Sequence, residues 1–174
     1  FFDHRNTPAA LSDALSSIVV SDGAVLDFDN DGFTDLIVSG TGGIERSGLW
    51  LIRNLGENRF EDATVLMPQI ASSGILDAGD LDGDGDIDLV WIDSEVRVLR
   101  NDGGNINRWL EVELNAALRG SGKNNFYGVG ATIELNTETH YQSRLVTSPV
   151  THLGVGSYDQ ADVMRVTWPN GAPQ

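Results

Sequence analysis

The 174-residue sequence contains no cysteine, so no disulfide bond can hold its fold together, and the redox compartment stays open. Basic residues are scarce: ten arginines and one lysine, Lys123, stand against 26 acidic residues, and the formal net charge is −15. Such a surface repels phosphate backbones, so we expect no nucleic-acid partner. The sequence also lacks an apolar run of 18 residues and a charged-then-apolar leader. We therefore expect that the chain as given neither inserts into a membrane nor carries a signal peptide.

Aspartate is abundant instead, and it is concentrated in two short stretches. The sequence DLDGDGDID, residues 80–88, has aspartate at positions 1, 3, 5, 7 and 9, and DFDNDGFTD, residues 27–35, has it at positions 1, 3, 5 and 9. Both have glycine at position 6, where a loop can bend sharply. Carboxylates so close together repel one another unless a cation lies between them, and calcium prefers oxygen ligands. The spacing therefore predicts two Ca²⁺ sites.

In each loop we expect ligands at positions 1, 3, 5 and 9 from carboxylates and at position 7 from the backbone carbonyl. The predicted metal ligands are Asp27, Asp29, Asp31, Phe33 and Asp35 in the first loop, and Asp80, Asp82, Asp84, Asp86 and Asp88 in the second. The alternative is a pair of solvated Asp/Gly turns without metal. Two copies of one spacing favour the metal.

An EF-hand begins with a similar pattern, but it requires a glutamate at position 12 and a helix after the loop. Position 12 is Val38 in the first loop and Trp91 in the second. The residues that follow position 9 are β-branched and aromatic, as in buried strands. We therefore expect calcium loops on β-hairpins, with each loop closed within its own repeat unit.

The repeat extends beyond the loops, because a strand that ends in Arg-Asn before a glycine turn recurs at Arg53-Asn54 and Arg100-Asn101. The opening FFDHRNT resembles RFEDAT at residues 59–64, which suggests that the chain begins inside an earlier unit. Repeats of this size made of short strands are typical of β-propeller blades. Two blades cannot close a ring, so we expect a fragment of a longer chain, or open sheet edges covered by partner chains.

These two units resemble FG-GAP repeats, also called VCBS-type repeats, of integrin-like β-propellers, whose calcium loops read D-x-D-x-D-G-x-x-D. The remainder resembles the ASPIC/UnbV domain of secreted bacterial proteins and the cartilage acidic protein family. Its matching pieces are NRWLEVEL (107–114), GVGATIEL (128–135), HLGVG (152–156) and VTWPNG (166–171). The resemblance implies an FG-GAP region at 1–104 and an ASPIC/UnbV-like domain at 105–174.

Apart from this resemblance, residues 108–168 predict an antiparallel sheet. The segments WLEVEL, ATIELNTE and VMRVTWP alternate apolar and polar residues, as half-exposed strands do, and Pro169-Asn170-Gly171 supplies a turn. The fold class expected for the whole chain is all-β: propeller-like blades followed by an antiparallel β domain.

No constellation of catalytic residues is evident. The sequence GSG at 120–122 lacks the spacing of a nucleophile elbow and favours a hairpin tip. His152 has no second histidine or cysteine at ligand spacing, which favours a packed or capping role. A glycosidase would need one loop carboxyl with a raised pKa, whereas a bound cation favours the ionised form of every ligand. We therefore expect no enzymatic activity.

The sequence thus predicts a secreted or cell-surface module for adhesion or binding, in which two Ca²⁺ ions make the loops of β blades rigid. Its partner would be a protein or a glycan. The alternative is a structural subunit of an extracellular assembly, whose open sheet edges pair with neighbouring chains, including copies of itself.

Overall fold

The computed structural model describes residues 9–42, 46–70, 74–92, 94–103, 106–116, 124–138 and 140–173. Two features singled out in the sequence lie outside these ranges. They are the opening FFDHRNT and the GSG stretch at 120–122.

The described chain consists mainly of β-strands. One short helix, α1 (Ala9–Leu15), comes first, and a 3-10 turn lies at Thr64–Leu66. The strands are β1 (Ile18–Leu26), β2 (Asp35–Gly42), β3 (Arg46–Asn54), β4 (Phe60–Asp62), β5 (Ile75–Gly79), β6 (Asp88–Ile92), β7 (Val96–Leu99), β8 (Arg108–Glu113), β9 (Thr132–Thr137), β10 (His140–Leu145), β11 (Val150–Gly156) and β12 (Val163–Thr167). They form four antiparallel sheets in the described ranges, none of them closed. The all-β class is confirmed, and assembly into propeller blades stays a prediction.

The chain divides into two compact units. The first comprises Phe1–Phe28 and Phe33–Gly104, and the second comprises Asn105–Gln174 together with Asp29–Gly32. The tip of the first acidic loop is thus part of the second unit. This differs from the expectation that each loop is closed within its own repeat unit.

The first unit contains a four-stranded sheet in the order β1-β2-β3-β4 and a three-stranded sheet in the order β5-β6-β7. The apolar runs after the acidic loops form β2 and β6, as predicted. Ile37 in β2 and Leu51 in β3 are completely buried, and Trp91 in β6 is 3% exposed. Because both sheets contribute to one apolar cluster, burial of this cluster stabilises the strands that carry the loops.

Asp22 connects these two sheets. Its carboxylate accepts hydrogen bonds from the backbone N–H of Leu76 in β5 and from that of Gly23, both at 2.9 Å. These bonds, that from Leu76 above all, lower the pKa of Asp22 below its ordinary value of 3.8. The ionised carboxylate therefore stabilises the folded state, and this contribution is lost as the pH falls through the lowered pKa.

We expect Asp22→Ala to lower the free energy of unfolding at pH 7, and to lower it less at pH 3. The reason is that acid protonates the wild-type carboxylate and so removes the advantage of the wild type. Urea titrations at the two pH values measure the difference. Asp77→Ala is the matched control, since the exposed Asp77 carboxylate accepts from Ala78, the next residue along its own strand. If the difference in unfolding free energy between wild type and Asp22→Ala stayed constant with pH, the stabilising role of the ionised Asp22 carboxylate would be contradicted.

The second unit contains a sheet in the order β10-β9-β12 and a pair formed by β11 and β8. Strand β9 alternates as predicted, with Ile133, Leu135 and Thr137 buried. These strands pack around a second apolar cluster that includes Trp168, which is 7% exposed. After β12 the predicted turn is present, because the N–H of Gly171 donates to the carbonyl of Trp168 at 2.7 Å. The strands of residues 108–168 are antiparallel as predicted, but they form two sheets rather than the single one expected.

Candidate metal centres

The first acidic loop brings three of its predicted ligands together. Carboxylate oxygens of Asp27, Asp29 and Asp35 lie within 4.8 Å of one another. Asp27 is 8% exposed and Asp35 is 1% exposed, and the Oδ1 atoms of Asp27 and Asp29 are shielded from solvent. Three anionic oxygens held so close in a region of little solvent form a donor set that suits a hard divalent cation.

The second loop repeats this arrangement at the same positions. Oxygens of Asp80, Asp82 and Asp88 also lie within 4.8 Å of one another, although only Asp88 is buried. The carboxylate of Asp80 accepts from the N–H of Gly83 at 2.7 Å and from that of Gly85 at 3.0 Å. These bonds wind the loop around its first aspartate, which turns positions 1, 3 and 9 toward a common centre.

The backbones of the two loops match as well. Asn30 and Gly83 at position 4 have φ values of 59° and 78°, and Gly32 and Gly85 at position 6 both have φ of 89°. Left-handed conformations are natural for glycine and tolerated by asparagine, which explains the residue types at these positions. The residue type at position 4 is thus a signal that sequence reasoning did not use.

The aspartate at position 9 anchors each loop to the sheet behind it. In the first loop, Asp35 Oδ2 accepts from the N–H of Phe28 at 2.8 Å, and Asp35 Oδ1 accepts from the N–H of Asn54 at 2.7 Å. In the second loop, Asp88 accepts from Leu81 at 3.0 Å and from Asn101 at 2.8 Å. Each carboxylate oxygen keeps a second lone pair, so these bonds are compatible with metal ligation.

The asparagines of the two Arg-Asn pairs are functional residues that sequence reasoning missed. The side-chain amide of Asn54 donates to the carbonyl of Thr34 at 3.1 Å, and its Oδ1 accepts from the N–H of Gly56 at 3.0 Å. In the second repeat, Oδ1 of Asn101 accepts from the N–H of Gly103 in the same way, at 3.1 Å. Each asparagine therefore joins its acidic loop to the following glycine turn. The recurrence of Arg-Asn was visible in the sequence, but its contact with the loop was not.

Arg100 lies beside the second loop. Its guanidinium lies 2.8 Å from Asp82 Oδ2, 3.3 Å from Asp84 Oδ2 and 2.6 Å from Asp102 Oδ1. Desolvation raises the pKa of Asp82, and the charge of Arg100 acts in the opposite direction. Arg100, which follows β7, thus offsets part of the negative charge of the second loop.

The ligands predicted at positions 5 and 7 are additional to the grouped carboxylates of positions 1, 3 and 9. Within the described residues, the grouped oxygens do not include the position-5 carboxylates of Asp31 and Asp84. Asp84 Oδ1 accepts from the N–H of Asp86 at 3.0 Å, while its other oxygen faces Arg100. At position 7, the Asp86 side chain is completely buried, although the sequence had suggested a role only for its carbonyl.

His152 is packed against an aromatic ring, and a packed role is one of the two that its sequence context favours. Its ring stacks on Trp109 with centroids 5.5 Å apart, and its Nε2 lies 2.6 Å from Asn30 Oδ1. These contacts hold the imidazole ring in a fixed orientation.

Residues 27–91 match the model of the FG-GAP-like repeat family. The match begins at the first aspartate of the first loop and ends at Trp91, three residues after the last aspartate of the second. FG-GAP repeats are typical of extracellular proteins and suggest an adhesion-type module. No curated protein matches the chain. The resemblance of the C-terminal part to ASPIC/UnbV domains stays a prediction.

The described part of the chain contains no helix with the length and apolarity that a membrane span requires.

Proposed function

We propose that this chain is an extracellular adhesion or binding module whose two acidic loops each bind one Ca²⁺ ion. The observation that carries the proposal is the repeated geometry: aspartates at positions 1, 3 and 9 of both loops group their oxygens within 4.8 Å. The FG-GAP match spans both loops and supports calcium as the metal, since such repeats commonly bind it. In this role the ion is structural and holds the loops in a fixed shape for a protein or glycan partner.

The ligands proposed for each ion are the three grouped carboxylates, completed by position 5 and by the carbonyl of position 7. Calcium accepts six to eight oxygens in a flexible shell, whereas magnesium demands a smaller octahedral one and keeps its waters. A shell made of many carboxylates on a glycine-containing loop therefore favours calcium.

We also propose that the chain has no catalytic activity. In the second loop, the carboxylates of Asp80, Asp84 and Asp88 each accept a backbone hydrogen bond, so they already serve to hold the loop in shape.

We expect isothermal titration calorimetry to show two calcium ions bound per chain, with dissociation constants of about 10⁻⁴ to 10⁻³ M, as in other extracellular modules. Asp29→Asn should weaken one site and Asp82→Asn the other, because each removes a charge from one group of three carboxylates. Asp159→Ala is the control, since this aspartate has a side chain that is 80% exposed and lies outside both loops. Wild-type protein that takes up no calcium at 10 mM would refute the proposed function.

One observation favours a second candidate, a structural subunit that associates through sheet edges. After the first Arg-Asn pair the chain forms β4, which pairs with β3. After the second pair it forms β8, which pairs with β11, so in the described part of the chain β7 pairs with β6 alone. Val96 and Val98 on β7 are 69% and 56% exposed. Light scattering over a range of concentrations separates the two candidates, since an assembly subunit increases in mass with concentration.

A further inference from the structure

The two acidic loops share a backbone but differ in what surrounds their tips. The tip of the first loop is Asp29–Gly32, which forms one compact unit with the strands that follow residue 105. In the second loop, Asp82, Gly83 and Asp84 are all exposed.

Polar groups of the C-terminal strands hold the backbone of this tip. The side-chain amide of Asn107 donates to the carbonyl of Asp29 at 2.8 Å, and the N–H of Gly156 donates to the carbonyl of Asn30 at 2.8 Å. The guanidinium of Arg144 donates to the carbonyl of Gly32 at 3.3 Å. Three of the four carbonyls of the tip are therefore fixed by donors that come from distant parts of the chain.

Asn30 is the centre of this contact. Its side chain is completely buried, its φ is 59°, and its Oδ1 lies 2.6 Å from Nε2 of His152. A buried amide needs hydrogen-bond partners, and a left-handed non-glycine residue needs support from its surroundings. His152 supplies this support from a ring that is itself held by stacking on Trp109.

Position 4 of the second loop shows the contrast. It is occupied by Gly83, and a Cβ built there meets nothing within 4 Å. At position 4, therefore, the first loop is buried, whereas the second faces open space. Position 6 of the first loop is also closely surrounded, because a Cβ built on Gly32 would lie 2.6 Å from His140 Nε2.

We propose that Asn107 and His152 are positioning residues for the first metal site, which hold Asp29–Gly32 in the conformation that binds the ion. This inference rests on the proposed function, because it assumes that the first loop binds calcium. A loop ordered before the ion arrives loses less conformational entropy on binding than one that the ion must order. The affinity of the first site therefore depends on the C-terminal strands, and that of the second does not.

The test measures each site alone in the full-length chain. In an Asp82→Asn background, where the second site is weakened, calorimetry reports the first site. There His152→Phe, which keeps an aromatic ring on Trp109, and Asn107→Ala should each weaken calcium binding about threefold to tenfold, the range expected for one lost hydrogen bond. In an Asp29→Asn background, which reports the second site, the same substitutions should leave the dissociation constant unchanged.

Asn136→Ala is the matched control, because Asn136 is an exposed asparagine on β9 of the same unit. Far-UV and near-UV circular dichroism in EDTA establishes whether each variant is folded. If His152→Phe is not folded, Asn107→Ala alone tests the inference. Folded variants that weaken both sites equally, or neither, would overturn the inference while the proposed function stands. Absence of calcium binding by the wild type would refute the proposed function itself, and the inference with it.

Discussion

We expect calcium at 10 mM to raise the melting temperature of this chain, and magnesium at the same concentration to raise it far less. A ligand that binds only the folded state stabilises it by RT ln(1 + [L]/Kd), which is about 1.4 to 2.7 kcal/mol per site for Kd values of about 10⁻³ to 10⁻⁴ M. For a chain of this length, roughly 2–4 °C accompanies each kcal/mol. One site therefore accounts for a shift of roughly 3–11 °C, and two sites for more.

The physical reason lies in the four aspartates of the first loop and the five of the second. Without a cation these carboxylates repel one another, and an acidic loop opens locally at a lower cost in free energy. Thermal melts in EDTA, calcium and magnesium measure the effect. Asp29→Asn and Asp82→Asn should each remove part of the gain, and Asp159→Ala should not. A melting temperature that calcium does not change would mean that both loops are only solvated turns.

Asp35→Ala should destabilise the fold even in EDTA, by roughly 2–6 kcal/mol, because two N–H donors lose their acceptor. The Asp35 carboxylate accepts from the N–H groups of Phe28 and Asn54, and a shielded donor that loses its acceptor costs about 1–3 kcal/mol. Asp88→Ala should have a similar effect, because its bonds to Leu81 and Asn101 are equivalent.

Urea unfolding in EDTA measures this loss. Asp29→Asn is the comparison within the same loop: it should change stability little without calcium and should remove calcium-dependent stabilisation. The two substitutions thus separate the anchoring of the loop from ligation of the ion. Asp35→Ala protein with wild-type stability in EDTA would show that the two amides find other partners.

The sequence predicted those features of the fold that depend on local patterns. Alternation in the segments that became β8, β9 and β12 indicated an antiparallel sheet, and the β-branched runs after position 9 indicated β2 and β6. The loops could be located because carboxylate spacing is itself a local property. The positions whose oxygens group in the structure, 1, 3 and 9, were all among the predicted ligands.

The features that sequence reasoning missed depend on contacts between distant residues. Asn107 is 78 residues from Asp29, and His152 is 122 residues from Asn30. No periodicity or spacing encodes such a pairing, so the surroundings of the first loop could not be predicted. The role of Asn54 was hidden for the same reason, because its partner Asp35 lies on the adjacent strand rather than nearby in the sequence.

The position-9 aspartate of each loop accepts a hydrogen bond from the asparagine of the following Arg-Asn pair. This bond sets the minimum length of the segment that can be grafted onto another protein. The nine residues 27–35 alone would leave Asp35 without the amide of Asn54, and Asn54 in turn is fixed by Gly56. A transplant of the first loop must therefore run from residue 27 to residue 56, with the hairpin of β2 and β3 included, and a transplant of the second must run from residue 80 to residue 103. For the second loop the portable element is the hairpin with its glycine turn, whereas a transplant of the first would also lose the contacts from Asn107 and His152.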